Sequence, residues 1–264
     1  MLTKDIAICI RAIDYSETSQ IVTFFTRASG KISAIAKGSK RPKSAFDGPI
    51  EILSQGRIVF SDSSKERLAT LTEFEQQPGW ICRISDLFTL NCSLFAAELV
   101  NRLTNDYDPH PGLFDSFHHF LRRANEQRAS TIEHSPRARG QACPCGSRGV
   151  LSLLIQFQLI LLKEIGLQPV WSHCVNCKTR YERPATSDEF YFSSSANGLI
   201  CRDCEASFPD KIRLSRDASA CLADVKRICE SEEVTLQEIE MVLVSYFTEL
   251  LGRPPRMAKH IVPR

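Results

Sequence analysis

The stretch "SQIVTFFTRASGKISAIAKGSKRPKSAF", residues 19–46, decides how the first part of this chain folds. Its β-branched and aromatic runs are typical of strands, and the Ser-Gly pair between them is typical of a turn. Three further runs complete a set of five: "DIAICIRAI" before it, and "PIEILSQGRIVF" and "RLATLTEFE" after it. Five short strands in so small a segment predict a small closed barrel such as an OB-fold, with an SH3-like barrel as the structural alternative.

Basic residues are concentrated in this stretch, although the formal charge of the whole chain is only +2. Residues 19–46 contain no acid and six cations, which are Arg27, Lys31, Lys37, Lys40, Arg41 and Lys43. Glycine and proline in "AKGSKRPKS" indicate a loop, so that the cations can spread toward one surface. Clustered cations are typical of a surface that follows a phosphate backbone, with bases stacked on whichever of Phe24, Phe25 and Phe46 are exposed. The alternative is a solvated basic loop above buried phenylalanines.

The pattern changes from strand to helix after Pro78. Apolar residues then recur at helical spacing in two segments, Phe88, Cys92, Phe95, Leu99 and Leu103, and Leu113, Phe117, Phe120 and Ala124. The apolar segment "VLSLLIQFQLILLKEIG", which starts at Val150, is too short and too often interrupted by polar residues to span a bilayer. It predicts a buried helix. A last helix is predicted to start at Thr235, in capping-box register with Glu238, and to end at Gly252.

Four of the eleven cysteines form two Cys-x-x-Cys pairs, Cys174 with Cys177 and Cys201 with Cys204. Both thiolates of such a pair can point at one ion, and two pairs complete the tetrahedral ligand set of a structural zinc site. We therefore predict one structural Zn²⁺ ion in a zinc ribbon whose hairpin carries the second pair. His173 is a less favoured alternative ligand. The other interpretation is two unrelated thiol pairs or a redox couple.

Sequence signals for catalysis are absent. There is no Gly-x-x-x-x-Gly-Lys-Ser/Thr phosphate loop, no Gly-x-Ser-x-Gly and no His-Glu-x-x-His, so an enzyme is disfavoured. No signal peptide is evident, and metal explains the cysteines better than disulfides do. We expect a cytoplasmic protein. Cys143 and Cys145, in an Arg- and Ser-rich stretch, are predicted to be unliganded surface thiols.

These patterns predict an α+β, multidomain chain in four parts. Residues 1–78 form the five-stranded OB-fold barrel. Residues 79–172 form a helical domain with a mobile Arg-rich loop at about 125–149. Residues 173–207 form the inserted zinc ribbon, and residues 208–264 form C-terminal helices that pack on the helical domain.

Taken in order, these segments resemble the RecO family of bacterial recombination mediators over nearly the whole chain. The matching residues are "DYSETSQIVTFFTRASGKISAIAKGSKRPKSAF" (residues 14–46), the four cysteines with the approach "FSSSANGLICRDC" to the second pair, and "LLGRPPR" near the C-terminus. Asn197 stands where the family usually has a second glycine. Asparagine tolerates the positive φ that such a turn requires.

The resemblance implies a non-enzymatic DNA repair protein, associated with the nucleoid. It implies binding of single- and double-stranded DNA, annealing of complementary strands and, together with RecR, loading of RecA recombinase. It also implies docking of the acidic, apolar-ended tail of the single-stranded-DNA-binding protein, which requires an apolar pocket rimmed by cations. The candidate cations for that pocket are Arg102, Arg122, Arg123, Arg253 and Arg256.

Two functions of other classes fit the same residues. An RNA-binding zinc-ribbon protein of translation or RNA processing also joins a small barrel to zinc. A thiol or metal enzyme would use one Cys-x-x-Cys pair for its chemistry. Preference for structured RNA over single-stranded DNA would favour the first function, and oxidisable thiols without tightly held zinc would favour the second.

Overall fold

The chain divides into two compact units, Met1–Asn125 and Glu126–Arg264. The structure is a computed structural model that describes residues 2–41, 44, 46, 48–61, 68–77, 86–132, 147–180 and 190–262. The four-part division read from the sequence stays a prediction.

The first unit begins with a closed barrel. Its strands are β1 (Leu2–Asp14), β2 (Gln20–Thr26), β3 (Gly30–Ala36), β4 (Gln55–Ser61) and β5 (Ala69–Gln76), in the order β1-β2-β3-β5-β4. The pair β3–β5 is parallel, with Ala34 opposite Ala69, whereas β1 pairs with β4 in antiparallel fashion. A five-stranded barrel with this order is the OB-fold, which confirms the prediction and sets aside the SH3-like alternative.

The barrel closes because β1 is long enough to pair on both sides. Its first half pairs with β4 and its second half with β2, and the register shifts between Cys9 and Arg11. Leu53, at a φ of 69°, donates its N–H to the Cys9 carbonyl at 2.7 Å, and the Cys9 N–H donates to the Ser54 carbonyl at 2.9 Å. The fourth strand therefore begins at Gln55, six residues later than the run starting at Pro49 suggests, because the chain turns sharply at Leu53.

The barrel core follows from the two-residue period of its strands. In β3 every second residue, from Gly30 to Ala36, is buried, as expected for a strand with one face toward a core. Phe24 and Phe74 meet across this core with their ring centroids 5.6 Å apart. Phe46, from the loop after β3, is packed into the same core.

Five helices account for most of the remaining described chain. They are α1 (Leu87–Leu103), α2 (Pro111–Ile132), α3 (Ser147–Glu164), α4 (Arg216–Ala223) and α5 (Glu233–Leu251). Asp86 caps α1 by accepting from the Thr89 N–H at 2.9 Å, a common helix start. The apolar stripe predicted for the second helix, which includes Leu113, Phe117 and Phe120, is buried. Within the described ranges, no helix is both long and apolar enough to cross a membrane.

Helices occupy both ends of the Arg-rich loop predicted at about 125–149. Helix α2 continues to Ile132 and α3 already begins at Ser147. Glu126, Gln127 and Arg128 are good helix formers, so the helix propagates into the predicted loop. The intervening segment, with Cys143 and Cys145, lies outside the described residues.

The start predicted for the last helix was wrong by two residues. Helix α5 begins at Glu233, and Thr235 lies within its first turn. Instead of closing a capping box, the Glu238 carboxylate accepts a hydrogen bond from the Ser215 N–H, just before α4. The predicted end is confirmed, because Gly252 terminates α5 in the left-handed conformation, at a φ of 66°.

The second unit contains a three-stranded sheet between α3 and α4. Its strands β6 (Phe190–Ser193), β7 (Gly198–Cys201) and β8 (Ile212–Leu214) have the order β7-β6-β8. The predicted hairpin is β6–β7, whereas β8 was not predicted. Asn197, in the turn between β6 and β7, has a φ of 54°, as expected for an asparagine that replaces a turn glycine.

Candidate metal centre and nucleic-acid interface

The four predicted cysteine ligands come together in the structure. The sulfurs of Cys174, Cys177, Cys201 and Cys204 all lie within 4.8 Å of one another, and those of Cys177 and Cys201 are 3.6 Å apart. Four sulfurs held at about 2.3 Å from one tetrahedral ion would be separated by roughly 3.8 Å. The set therefore fits a single metal ion with small adjustments of side-chain torsions.

Local backbone turns aim the first two sulfurs. The Lys178 N–H donates to the Cys174 carbonyl at 3.0 Å, and the Cys174 N–H donates to Thr179 at 2.9 Å. Lys178 completes this tight turn with a φ of 64°. The second pair lies where β7 ends in Cys201 and passes into a 3₁₀ helix, Arg202–Ser207, that contains Cys204.

The surroundings of the cluster shift the pKa values of two of its thiols in opposite directions. Hydrogen bonding with Thr179, whose Oγ1 lies 3.2 Å from the Cys177 sulfur, lowers the pKa of Cys177 to about 6. Burial raises the pKa of Cys201 to about 12. The Asn176 side-chain amide donates to the Cys204 sulfur at 3.3 Å. A metal ion would displace the remaining thiol protons, because thiolates are the ligands.

His173 is not part of this cluster within the described chain. Its Nδ1 lies 3.0 Å from the Ser172 hydroxyl, and its backbone forms a bridge with Arg180. Four sulfurs therefore make up the candidate ligand set, as the sequence favoured.

The three-stranded sheet β7-β6-β8, which we call the cysteine sheet, is anchored to α5 by aromatic packing and one hydroxyl. Phe192 stacks on Trp171 with centroids 5.2 Å apart and meets Tyr246 edge-on at 5.7 Å. The Tyr246 hydroxyl lies 2.7 Å from Asn197 Oδ1 and 2.9 Å from the Leu167 carbonyl. A side chain at Gly198 would collide with Val170, so the turn at this point is closely packed.

We expect Tyr246→Phe to hasten metal release to a chelator by several-fold and to lower the free energy of unfolding by about 1 kcal/mol. The ring packing survives this change, but Asn197 loses its hydroxyl partner and the β6–β7 turn gains freedom. Chelator-induced release followed by absorbance measures the effect. Tyr15→Phe, the same chemical change in the barrel, is the control and leaves release unchanged. Equal release rates in wild type and Tyr246→Phe would show that the hydroxyl does not steady the turn.

Three of the six predicted cations of the barrel are engaged with neighbouring protein groups. Arg27 forms a two-pronged ion pair with Asp115 at 2.8 and 2.9 Å, and Lys40 lies 2.6 Å from an Asp14 oxygen. The arrangement raises the pKa of Arg27 and lowers that of Asp115, because each group stabilises the charged form of the other. These two cations are partly neutralised within the protein.

Lys31 is the most deeply engaged of the six. Its ammonium donates to the carbonyls of Asn101 and Thr104 at 2.8 and 2.7 Å, and lies 3.4 Å from Asp106. These carbonyls lie at the C-terminal end of α1, where helix carbonyls lack intrahelical partners. Lys31 therefore joins β3 to α1, and only 13% of its side chain is exposed.

Lys37 and Arg41 are the predicted cations that remain available. Both are exposed, and in the part of the chain that the structure describes neither forms an ion pair. Lys43 lies outside the described residues. The predicted stacking residues Phe24, Phe25 and Phe46 are buried, so they offer no surface to a base.

A surface missed by sequence reasoning lies on the outside of β1, β2 and β3. Strand register places Ile13 opposite Ile21 and Ile21 opposite Ile35, in one row. The next row is Arg11, Thr23 and Ser33. Ile13 is 41% and Tyr15 is 62% exposed. We call Arg11, Ile13, Tyr15, Ile21 and Ile35 the outer barrel face. The alternation of residues in β1 already indicated an outward-facing row in the sequence. Which residues of β2 and β3 continue that row follows only from the strand register.

The arginines predicted for a protein tail lie in both units. Arg102 is half-buried on α1, 3.8 Å from Glu98, and Arg122 and Arg123 are exposed on α2. Arg253 and Arg256 are exposed after the end of α5. Their role in tail binding stays a prediction.

Family comparison accounts for nearly the whole chain. The family described as "Recombination protein O N terminal" matches residues 1–77, and "Recombination protein O C terminal" matches residues 84–135 and 146–260. The chain belongs to the RecO family. The RecO matches include both candidate sites, because the first contains the barrel cations and the second contains the four cysteines. The unmatched residues 136–145 include Cys143 and Cys145.

Individual RecO relatives agree with these matches. The chain is 29% identical to the DNA repair protein RecO of Bacillus subtilis over 259 residues, which cover 96% of the chain and 91% of the relative. It is 30% identical to DNA repair protein RecO of Rhodopirellula baltica over 219 residues, 83% of the chain and 73% of the relative. With DNA repair protein RecO of Salinibacter ruber the identity is 37% over 128 residues, about half of each chain.

Proposed function

We propose that this protein is a DNA-binding recombination mediator whose barrel binds single-stranded DNA. The observation that carries the proposal is the outer barrel face, a partly exposed apolar row with exposed Ile13 and Tyr15 beside available cations, on an OB-fold of the RecO family. OB-folds bind oligonucleotides on the face of strands 2 and 3, beside the loops that join strands 1 and 2 and strands 4 and 5. Here the strands supply Ile21 and Ile35, and the loop after β3, which starts at the end of this face, adds Lys37 and Arg41.

The chemistry of this face suits an unpaired strand. Phosphates would contact Lys37, Arg41 and Arg11, and bases would lie against Tyr15 and the isoleucine row. Stacking of a base on an aromatic side chain contributes about 1–3 kcal/mol and tolerates any base. Loop cations contact phosphates rather than base edges, so sequence preference should be slight. Lys43 belongs with these cations by its place in the sequence alone, and Arg27, Lys31 and Lys40 would contribute less because of their internal partners.

We further propose that the cysteine cluster holds one structural Zn²⁺ ion. Four thiolates at Cys-x-x-Cys spacing are the typical ligand set of structural zinc, and they leave no open position for water or substrate. Zinc would supply folding energy to the cysteine sheet and no catalytic step. This role agrees with a mediator that is not an enzyme.

The finer mediator roles are proposed from family membership together with this surface. They are binding of double-stranded DNA, annealing of complementary strands, partnership with RecR, docking of the tail of the single-stranded-DNA-binding protein, and assistance in loading RecA, all in the cytoplasm at the nucleoid. Exposed arginines on α2 and after α5 support the tail interaction, because its carboxylates need cationic partners. Titration of a labelled tail peptide against Ala variants of each arginine group would separate the two locations.

The test of the proposed function is a competition between single-stranded DNA and structured RNA of equal length at about 0.1 M salt. We expect the DNA to compete at least as well as the RNA, and complementary strands to anneal faster with the protein than without it. Stronger binding of structured RNA, without any annealing, would favour the RNA-binding alternative over the mediator.

A further inference from the structure

A buried carboxyl group connects α5 to α3 in the second unit. Glu240 is 1% exposed and Gln158 is fully buried. The Gln158 side-chain amide donates to Glu240 Oε1 at 2.8 Å. The other oxygen of each side chain, Glu240 Oε2 and Gln158 Oε1, is buried and has no hydrogen-bond partner among the described residues.

A single proton on the Glu240 carboxyl group would give both unpartnered oxygens, Glu240 Oε2 and Gln158 Oε1, a hydrogen bond. An ionised carboxylate can only accept, so Oε2 and the amide oxygen would both remain buried, unsatisfied acceptors. A protonated carboxyl group has one O–H donor, which can serve the amide oxygen while Oε1 keeps the bond from the amide nitrogen. One proton therefore satisfies both atoms, and it also removes a buried charge, which is costly without a cationic partner.

We propose that Glu240 is held as the neutral carboxylic acid, joined to Gln158 by two hydrogen bonds, and that its ionisation weakens the contact between α3 and α5. The acid–amide pair is thus a pH-sensitive element of the second unit. It lies apart from the cysteine ligands in sequence and does not depend on the proposed function.

The electrostatic surroundings agree with this assignment. Burial raises the pKa of Glu240 to about 7, and the only opposing influence is the Gln158 hydrogen bond. No other titratable group on α5, or on the helices α3 and α4 that pack against it, contributes to this shift. These groups are Glu233, Glu238, Tyr246 and Glu249 on α5, Arg148, Lys163 and Glu164 on α3, and Arg216, Asp217 and Cys221 on α4. From α3, the group that faces the carboxyl is Gln158.

The pH dependence follows from linkage. The pKa of Glu240 rises from the ordinary 4.5 to about 7 in the folded chain, so the folded state binds more protons than the unfolded state between these values. Stability from this pair is fully present below the lower value and is lost as the pH rises through the upper one. The corresponding change in the folding equilibrium is on the order of a hundred-fold.

Thermal unfolding of the full chain with its metal, compared between wild type and Glu240→Gln, tests the proposal. Glutamine reproduces the neutral acid, since its amide can donate to Gln158 Oε1 and its oxygen can accept. We expect nearly equal midpoints at about pH 5, just above the unfolded pKa, and a clearly higher midpoint for the variant at about pH 8. Glu249→Gln, which removes an exposed carboxyl of the same helix, is the control and shows no such divergence. Metal loss at low pH affects all three proteins alike.

A spectroscopic measurement keeps the proposal testable if the variant fails to fold. At about pH 6, where ordinary carboxyl groups are ionised, the infrared spectrum of the wild type should retain the carbonyl stretch of a protonated acid. Loss of that band should accompany titration toward about pH 8. A spectrum without the band, or a Glu240→Gln variant less stable than wild type at about pH 8, would overturn the proposal and indicate an ionised Glu240 with a hydrated or cationic partner.

Discussion

Cys204→Ser is expected to abolish retention of the metal and to unfold the cysteine sheet. Loss of one thiolate leaves three ligands, and structural zinc contributes on the order of 10–16 kcal/mol to small zinc modules at neutral pH. Elemental analysis should therefore change from about one zinc per chain to almost none. Hydrogen exchange should become fast in β6, β7 and β8 while the barrel strands stay protected, because the barrel belongs to a separate compact unit.

The size of this effect follows from how little apolar core the cysteine sheet has around its ligands. Only four residues of the cluster around the ligands are buried, Cys174, Tyr191, Ile200 and Cys204, and two of them are ligands. The hydrophobic residues packed against them are only partly buried, Val175, Ala196, Cys201 and Phe208. So small a core does not hold a module together without a metal or another staple. Cys229→Ser, an exposed cysteine outside the cluster, is the matched control and keeps its zinc. Wild-type protein that contains no zinc when purified without chelator would contradict the proposed metal site.

Features set by local spacing could be predicted from the sequence. The barrel strands have a two-residue period, the stripe of Leu113, Phe117 and Phe120 has a helical period, and the four cysteines have ligand spacing. Each of these patterns is made by residues that are only a few positions apart in the sequence, so no tertiary contact is needed to recognise it. Even the unusual turn at Asn197 was predictable, because asparagine is one of the few residues that accepts positive φ.

Features set by distant partners could not be predicted. In the sequence Lys31 is an ordinary lysine of a predicted strand. Its hydrogen-bond partners, the carbonyls of Asn101 and Thr104, are 70 and 73 residues away, and only the position of α1 brings them to its ammonium. Arg27 is likewise partly neutralised by Asp115, 88 residues away. The outer barrel face depends on strand register, which the alternation pattern alone leaves open.

Replacing Lys37 and Arg41 together by Ala is expected to weaken binding of single-stranded DNA by on the order of ten- to thirty-fold at about 0.1 M salt, since each lost phosphate contact removes one released counterion. The matched control is Lys4→Ala with Arg57→Ala. It removes the same charge from exposed barrel positions that lie beside Glu73 and Glu75, where a phosphate backbone would be repelled. We expect the control to bind DNA nearly as tightly as wild type, so equal losses in both double variants would indicate only a general effect of net charge.

The salt dependence of single-stranded DNA binding, measured for wild type and for the Lys37 and Arg41 double variant, tests most directly whether the barrel is the DNA site. Each phosphate contact contributes about 0.7 to the slope of log affinity against log salt for a single strand. We predict that the slope of the double variant is shallower than that of wild type by about 1.4, with little change between oligonucleotides of different sequence. An unchanged slope in the double variant would contradict the barrel as the DNA-binding site.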